Sequence, residues 1–299
     1  MKNLSLSEGL FSEGVKFMFL STLSFSLANV FVKQVSHIPA METVFFRCFF
    51  GIIFCLYGLK REGLIGQFGN NYTLLLLRGI FGTAALYFFF VTVQNIPLAS
   101  AMTIQYLSPI FTSVIAIFLL KESLKAIQWL FYLIAFSGVL LIQQFDFRVS
   151  PFFLAIGIFS AFCSGVAYNL VRRLRQTEHP LIVVLHFQMV GAIIGLVFTF
   201  FNWKTPSILD LAYLFLIGIF SQLGQIFLTN ALQKEKAASV AIVNYTGLIY
   251  GLFFGWVIFG ESQNLISMAG MLLVVVGVAA SVFYDKKKRE IEKLEASLA

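Results

Sequence analysis

Apolar residues follow one another in ten long runs, which short polar or proline-containing segments separate. Runs of about 20 residues can cross the roughly 30 Å hydrocarbon core of a bilayer as helices. A membrane β-barrel would show strands of about ten residues with alternating polarity, and the run from Leu130 to Ile142 does not alternate. The pattern predicts an all-α polytopic membrane protein with ten transmembrane helices. The predicted spans are residues 14–34, 40–59, 72–94, 97–120, 126–143, 151–171, 180–201, 207–232, 237–259 and 263–284.

The second half of the chain repeats the first at a constant offset of 139 residues. The offset places Gly79-Ile80-Phe81 on Gly218-Ile219-Phe220, Gln94 on Gln233, Tyr106 on Tyr245, and Gly138-Val139 on Gly277-Val278. The sequence therefore predicts two diverged copies of one unit, at residues 14–143 and 151–284, followed by a basic tail at 285–299. Because each copy holds an odd number of spans, the second copy crosses the bilayer in the opposite sense. Inverted repeats are typical of secondary transporters, whose solute site lies between the halves.

Composition supports a membrane protein and excludes other classes. Of 299 residues, 59% are hydrophobic and 12% are charged, whereas soluble domains carry about 25% charged residues. Cys48, Cys55 and Cys163 lie in apolar runs, where cysteine usually packs as a small hydrophobe. Basic loops beside anionic lipid head groups explain the net charge of +7, so the lipid bilayer is the expected partner and no nucleic-acid partner is predicted.

Basic residues near the ends of the spans predict the orientation, because cytoplasmic loops carry an excess of Lys and Arg. With the N-terminus in the cytoplasm, sixteen basic residues at or beyond the span ends fall on the inside, and Lys33, Arg148 and Lys204 fall on the outside. Both termini, with the tail at 285–299, are therefore expected in the cytoplasm. The expected location is the cell membrane, with a bacterial inner membrane favoured.

Polar side chains inside spans are costly in lipid, so they usually face protein or a water-filled cavity. The eighth span carries a polar stripe at helical spacing, formed by Gly218, Ser221, Gln222, Gln225 and Thr229. The repeat also places Gln105-Tyr106 on Asn244-Tyr245. We interpret seven residues as substrate-binding groups of a cavity: Asn29, Gln105, Tyr106, Gln222, Gln225, Asn244 and Tyr245. The alternative is hydrogen bonding between helices, worth about 0.6–2 kcal/mol per contact.

Charged or titratable residues within spans are further candidates. Arg47 suits a carboxylate or phosphate of a substrate, because its planar guanidinium binds such groups at two points; a structural or gating role is the alternative. Arg78 lies nearer a span end and is interpreted as an anchor that reaches the membrane surface. His186 and Glu42 are candidates for proton coupling or gating, and a packed, hydrogen-bonded histidine is the alternative for His186.

Several short motifs occur in the same order in both halves. Pro97-Leu98-Ala99-Ser100-Ala101 and Lys121-Glu122-Ser123 of the first half correspond to Lys236-Ala237-Ala238-Ser239-Val240 and Gly260-Glu261-Ser262 of the second. Leu107-Ser108-Pro109 lies between the two motifs of the first half, and the second half has Leu248 in place of Pro109. With Arg47 in the second span, this set resembles the EamA-like branch of the drug/metabolite transporter superfamily. The resemblance implies alternating-access transport through a cavity formed mainly by the first, third and fourth helices of each half, with the second helix peripheral. It also implies a small metabolite such as an amino acid or a nucleoside-like compound, for example S-adenosylmethionine.

The sequence contains no motif for catalysis or for a phosphate-bearing cofactor. The Gly-x-Ser-x-Gly, His-Glu-x-x-His and phosphate-loop patterns are all absent, so neither an enzyme nor a cofactor or metal is predicted. The predicted function is secondary transport of a zwitterionic or anionic metabolite. The alternatives are a membrane receptor or scaffold without transport, and a facilitative channel, for which nothing marks a pore-lining ring.

Overall fold

The computed structural model describes residues 13–66, 68–120, 126–174, 177–234 and 245–298, and these residues form helices and no strands. The helices are α1 (Glu13–Gln34), α2 (Ala40–Arg61), α3 (Tyr72–Asn95), α4 (Leu98–Gln105), α5 (Ser108–Leu120), α6 (Ala126–Phe145), α7 (Pro151–Leu174), α8 (Pro180–Phe201), α9 (Ile208–Lys234), α10 (Thr246–Phe259) and α11 (Leu265–Leu298). Seven helical segments are long and apolar enough to cross a membrane, with α4 and α5 counted as one. Three shorter apolar helices lie in α6, α10 and α11. The predicted all-α, ten-span architecture is confirmed.

Proline marks the beginning of several spans. Pro39 and Pro97 immediately precede α2 and α4, and Pro151 and Pro180 are the first residues of α7 and α8. Proline is tolerated there because the first N–H groups of a helix have no partner within it. The far end of the last span is less well predicted, because α11 continues as a helix to Leu298, beyond the expected end at residue 284.

The fourth span is broken between α4 and α5. The N–H of Tyr106 donates to the carbonyl of Thr103 (3.0 Å), and the N–H of Leu107 donates to that of Ile104 (3.0 Å). These bonds tighten the chain into a turn, and Pro109, which lacks an N–H, follows at once. The turn places Tyr106 in the middle of the span, where its ring packs against the ring of Tyr245 with centroids 5.2 Å apart.

Helices of one half pack chiefly against helices of the other half. α1 packs against α9, α3 against α7, α2 against α8, and α6 against α11. The 139-residue offset exchanges α1 with α7 and α3 with α9, so the α1–α9 and α3–α7 contacts are equivalent. In the other two contacts, α2 with α8 and α6 with α11, the two packed helices are counterparts of each other in the repeat. This is the packing of two five-helix repeats related by a pseudo-two-fold axis, as in inverted-repeat transporters.

One pair of hydrogen bonds shows the same relation in atomic detail. Ser21 of α1 donates to the carbonyl of Gly224 on α9 (2.8 Å), and Ser160 of α7 donates to the carbonyl of Ala85 on α3 (2.7 Å). Ser21 and Ser160 are counterparts in the repeat, and so are Ala85 and Gly224. Both serines are buried, so each bond satisfies a polar group inside the bundle.

Glycines allow α6 and α11 to pack closely. A side-chain carbon at Gly138 would overlap the carbonyl oxygen of Gly270, and one at Gly277 would lie 2.7 Å from the carbonyl oxygen of Phe131. Gly138 and Gly277 are counterparts in the repeat, as are Phe131 and Gly270. Small residues let helix backbones approach each other in membranes. The α6–α11 seam therefore joins the last helices of the two halves symmetrically.

Candidate functional site

A cavity lies between α2 and α3 of the first half and α8 and α9 of the second half. Its lining combines two arginines with three glutamines, a serine and two apolar side chains: Arg47, Arg78, Val184, Phe187, Gln188, Ser221, Gln222 and Gln225. The space between these side chains, including the part that is open to solvent, is about 260 Å³. This arginine cavity is polar, narrow and shared by both repeats.

Arg47 and Arg78 present their guanidinium groups to the same aromatic ring. Their Cζ atoms lie 5.5 and 4.4 Å from the ring centroid of Phe187, within the roughly 6 Å range of a cation–π contact. Arg47 is 9% exposed, and among the described residues its Nη1 has no hydrogen-bond partner, nor do Nε and Nη1 of Arg78. Among the described residues, neither arginine forms an ion pair with a carboxylate. The two side chains therefore offer unused donors.

Two glycines make room for polar head groups of the lining. A side-chain carbon at Gly82 would overlap Nη1 of Arg78, and one at Gly51 would overlap the amide nitrogen of Gln188. Gly82 follows Arg78 by four residues on α3, as Gly51 follows Arg47 on α2, and residues four apart are neighbours on one helical face. The glycines on α2 and α3 thus leave space at the cavity for the amide of Gln188 and the guanidinium of Arg78.

The arginine cavity lies well inside the bundle. Arg47 is the eighth residue of the 22-residue helix α2, and Gln222 is the fifteenth of the 27-residue helix α9. At 1.5 Å per residue, these positions are about 10 and 20 Å from the first residues of their helices. Inverted-repeat transporters bind their solutes at this kind of depth, at the interface of the repeats.

Three of the residues predicted to bind substrate line the arginine cavity, namely Arg47, Gln222 and Gln225. Ser221, from the predicted polar stripe, lies beside them. The resemblance implied a cavity of the first, third and fourth helices of each half, whereas this cavity is lined by the second and third spans of each half. Substrate contact by these side chains stays a prediction.

Gln105 is held in a hydrogen-bond network between helices. Its Nε2 donates to the hydroxyl of Ser164 (2.8 Å), and its Oε1 accepts from the hydroxyl of Ser160 (3.0 Å). Both serines belong to α7, and Gln105 is not part of the lining of the arginine cavity. These bonds correspond to the interhelical role that the sequence left open as the alternative.

The remaining predicted binding residues lie elsewhere in the fold. Tyr106 and Tyr245 pack edge to face at 73°, and Gly247 leaves room for the hydroxyl of Tyr106. Asn29 is buried on α1. Tyr106, Tyr245 and Asn29 do not line the arginine cavity, and Asn244 lies outside the described residues.

Glu42 and His186, the predicted coupling or gating residues, differ in how their polar atoms are used. Glu42 is fully buried near the start of α2; its Oε2 accepts the N–H of Lys204 (3.1 Å), and its Oε1 has no hydrogen-bond partner. His186 Nδ1 lies 3.0 Å from the carbonyl oxygen of Ile182, one turn earlier in α8. His186 therefore has a local partner, whereas Glu42 keeps one buried oxygen available.

Sequence reasoning missed Phe187 and Gln188 and interpreted Arg78 as a surface anchor. In the structure, Arg78 lines the arginine cavity. A signal was present in the segments Arg47-Cys48-Phe49-Phe50-Gly51 and Arg78-Gly79-Ile80-Phe81-Gly82, which share the spacing of Arg, Phe and Gly. This shared spacing could have paired the two arginines, whereas nothing in the 139-residue repeat does so, because the counterparts of Arg47 and Arg78 are His186 and Ile217.

A second group of polar residues closes the end of the bundle opposite the chain termini, which we call the distal end. Lys33, at the end of α1, forms an ion pair with Glu261, in the turn between α10 and α11. Lys33 also donates to the carbonyl of Ile96 (2.6 Å), and Glu261 accepts the N–H of Leu98 (2.8 Å). We call this pair and its two backbone partners the distal latch, because it ties α1 and the start of α4 to the α10–α11 turn.

Arg148 adds a further link to the same turn. It donates to both carboxylate oxygens of Asp146 (2.8 and 3.0 Å) and to the carbonyl of Ser262 (2.6 Å). The hydrogen bonds to Asp146 raise the pKa of Arg148 above its usual value, so this side chain stays charged. The connection between α6 and α7 is thereby joined to the α10–α11 turn.

Comparison with known proteins places this architecture among transporters. The model of the EamA-like transporter family matches residues 12–144 and again residues 152–283. The pseudopaline exporter CntI of Pseudomonas aeruginosa is 29% identical over 91% of this chain and 96% of its own length. Solute carrier family 35 member G1 of Mus musculus is 31% identical over 90% and 77%, respectively, and the S-adenosylmethionine uptake transporter of Rickettsia conorii is 24% identical over 92% and 94%.

A solved crystal structure also shares the fold. It has 16% sequence identity to this chain and a TM-score of 0.63, and the match covers 93% of this chain and 98% of that one. The named relatives are membrane transporters rather than enzymes. Because the family model matches most of the chain, in two successive copies, the chain belongs to the EamA-like transporter family and is a multi-pass membrane transporter.

Proposed function

We propose that this transporter moves a small metabolite with an anionic group by alternating access, and that the arginine cavity is its substrate site. The observation that carries the proposal is the pair of guanidinium groups of Arg47 and Arg78 over Phe187, with N–H groups that find no acceptor in the described part of the chain. Arginine binds carboxylate and phosphate groups through parallel, charge-assisted hydrogen bonds. Gln222 and Gln225 supply amides for the rest of the solute.

The substrate is a compact metabolite of the amino-acid or nucleoside-like class. The arginine cavity is narrow, so binding of either an amino acid or a nucleoside-like compound requires it to widen. Two relatives bear names that denote small metabolites, one for export of pseudopaline and one for uptake of S-adenosylmethionine. These names support a small metabolite as the substrate, and the two relatives differ in the direction of transport.

The pseudo-two-fold packing supports alternating access. The units at residues 14–143 and 151–284 rock against each other about the α6–α11 seam, which opens the arginine cavity to one side and then to the other. The distal latch closes one of these sides. With both termini in the cytoplasm, as the basic residues indicate, the distal end faces the outside of the cell membrane, a bacterial inner membrane.

Coupling to protons is assigned to Glu42 rather than to His186. The buried Oε1 of Glu42 has no hydrogen-bond partner, and a buried carboxyl group in that condition gains from binding a proton. His186 is close to the carbonyl of Ile182, which gives its ring a fixed partner within the helix. The N–H of Lys204 stabilises the ionised carboxylate. Glu42 would therefore take up a proton when the α8–α9 connection, which carries Lys204, moves away, and would release the proton when this connection returns.

Comparative mass spectrometry of metabolites inside and outside expressing cells tests the proposal. We expect a compound that the wild type displaces across the membrane and that Gln222→Leu does not. The matched control is Gly58→Ala, because a methyl group there meets its nearest neighbour, Leu181, at an ordinary 3.6 Å. This control should transport as the wild type does.

Two outcomes would contradict the proposal. If no compound is displaced by wild-type protein in several hosts with different metabolites, the chain does not act as a carrier under these conditions. If Gln222→Leu and Arg47→Gln both transport at the wild-type rate, the arginine cavity is not the substrate site. Detergent-solubilised yield of each variant shows whether lost transport reflects lost protein.

A further inference from the structure

Arg47 and Arg78 bring two positive charges into one cavity. Because their Cζ atoms lie 5.5 and 4.4 Å from the same ring centroid, the charges cannot be further apart than the sum of these two distances. The other lining groups are amides, a hydroxyl and apolar side chains. Within the part of the chain that the structure describes, no carboxylate is paired with either guanidinium. The empty site is therefore doubly positive.

An uncompensated pair of charges favours a particular kind of ligand. A charged side chain in the bilayer interior is costly unless it is paired, and two like charges at short range also repel each other. A neutral solute removes neither penalty, and a monoanion compensates only one guanidinium. A ligand with two negative charges matches both.

The positions of the two guanidinium groups keep both positive charges inside the cavity. Nη1 of Arg78 occupies the space that a side-chain carbon at Gly82 would fill, which holds the guanidinium beside Phe187. Arg47 is 91% buried, as its 9% exposure indicates, and it keeps a free Nη1. Burial thus keeps the head group of Arg47 out of bulk water when the site is empty, and the space at Gly82 holds that of Arg78, which is half-buried.

We infer that the substrate is a dianion, with one negative charge for each guanidinium, in the form of two carboxylates or a phosphate ester. The inference rests on the proposed function, because it takes the arginine cavity as the substrate site. It also narrows the substrate class. S-adenosylmethionine, whose sulfonium and ammonium groups outnumber its one carboxylate, does not match a doubly positive lining. The amides of Gln188 and Gln222 bind the uncharged remainder of the solute.

Thermal stabilisation of the purified full-length protein by simple anions tests this inference. Succinate and butyrate both have four carbon atoms and differ in one carboxylate, and inorganic phosphate represents the phosphate ester. We expect succinate or phosphate at millimolar concentration to raise the melting temperature, and butyrate or chloride at matched ionic strength not to do so. A larger shift with succinate identifies a dicarboxylate, and a larger shift with phosphate identifies a phosphate ester.

Variants separate a binding role from a structural one. Arg47→Gln and Arg78→Gln each remove one charge and keep a hydrogen-bonding group, so we expect the better dianion to bind about tenfold more weakly. The empty variants should melt at a higher temperature than the empty wild type, because an unpaired buried charge is lost. Gly82→Ala, which displaces the head group of Arg78, should also weaken binding, and Gly58→Ala should not.

Three results would overturn the inference: equal shifts with succinate and butyrate, no shift with either dianion, or a lower melting temperature of the empty protein in both arginine variants. Each of these leaves the transport proposal standing if expressing cells still displace a metabolite. Dianion binding in vitro without any displaced metabolite would instead contradict transport and leave dianion recognition intact.

Discussion

Lys33 and Glu261 form an ion pair that joins the two halves of the chain at the distal end. The two side chains are 14% and 12% exposed, and each has a backbone partner as well, Ile96 for Lys33 and Leu98 for Glu261. Partial burial and extra hydrogen bonds make such a pair stronger than an exposed one. Because the pair ties α1 to the α10–α11 turn, opening of the distal end requires breaking it.

The first prediction concerns this latch. We expect Lys33→Gln and Glu261→Gln each to favour the distally open state by about 1–3 kcal/mol, between the values for exposed and buried pairs. This corresponds to a population shift of about 5- to 150-fold. Met102, which is 7% exposed on α4 below the latch, provides a reporter as Met102→Cys. Labelling by a membrane-impermeant maleimide from outside should become faster in both latch variants.

The chain offers a matched control for this experiment. Glu62→Gln changes an exposed contact between Glu62 and His179 (3.4 Å) and should leave labelling of Met102→Cys unchanged, since exposed polar pairs are worth little. The native cysteines Cys48, Cys55 and Cys163 are buried, so background labelling is low. Unchanged labelling in both latch variants would show that the ion pair does not hold the distal end closed.

The second prediction concerns the α6–α11 seam. In Gly138→Ala, the new methyl group would overlap the carbonyl oxygen of Gly270 and lie 2.9 Å from the backbone nitrogen of Val274, so the helices must separate. We expect a loss of about 1–3 kcal/mol of folding free energy, as in other overpacked interiors, measured as a lower melting temperature in detergent. Gly58→Ala serves as the tolerated control, and equal melting temperatures for the two variants would refute the close seam.

The third prediction separates Gln105 from Gln222. Gln105→Leu removes bonds to Ser160 and Ser164, so it should lower stability by about 0.6–2 kcal/mol and leave substrate affinity within about twofold. Gln222→Leu changes the lining of the arginine cavity and should abolish transport at normal melting temperature. The reverse pattern, with affinity lost in Gln105→Leu and kept in Gln222→Leu, would move the substrate site to α4.

The fourth prediction concerns proton coupling. Reconstituted vesicles with an imposed pH gradient should accumulate substrate with the wild type and with His186→Gln, but not with Glu42→Gln. The reason is that Glu42 has a buried oxygen without a partner, whereas His186 has Ile182 within its own helix. Dependence on the gradient that persists in Glu42→Gln would remove this residue from coupling.

Much of the fold could be predicted from the sequence because its determinants are local or periodic. Apolar runs long enough to cross a bilayer predict spans without knowledge of their partners. The 139-residue offset predicts inverted halves, and the equivalent bonds of Ser21 and Ser160 realise that symmetry. Proline at positions such as Pro151 and Pro180 fixed helix starts, whereas the end of α11 had no comparable signal.

The candidate site was only partly predictable because it departs from the repeat. Gln222 and Gln225 were identified from helical spacing alone, and Arg47 from its position inside a span. Arg78 was misinterpreted because its distance from a span end permits a surface role, and only the packing of α3 against α8 places it beside Phe187. Gln105 was assigned to the cavity by symmetry, while its neighbours on α7 engage both ends of its amide.

The interleaving of the halves has a consequence for how the protein is made. α1, α3 and α6 pack against α9, α7 and α11, which leave the ribosome after them. The hydroxyl of Ser21, for example, meets its acceptor only when Gly224 has been synthesised, 203 residues later. The first five spans, α1 to α6, therefore stay in the lipid without their final neighbours until the second half is made. Two separately expressed halves should assemble only when they are inserted in the same membrane at the same time.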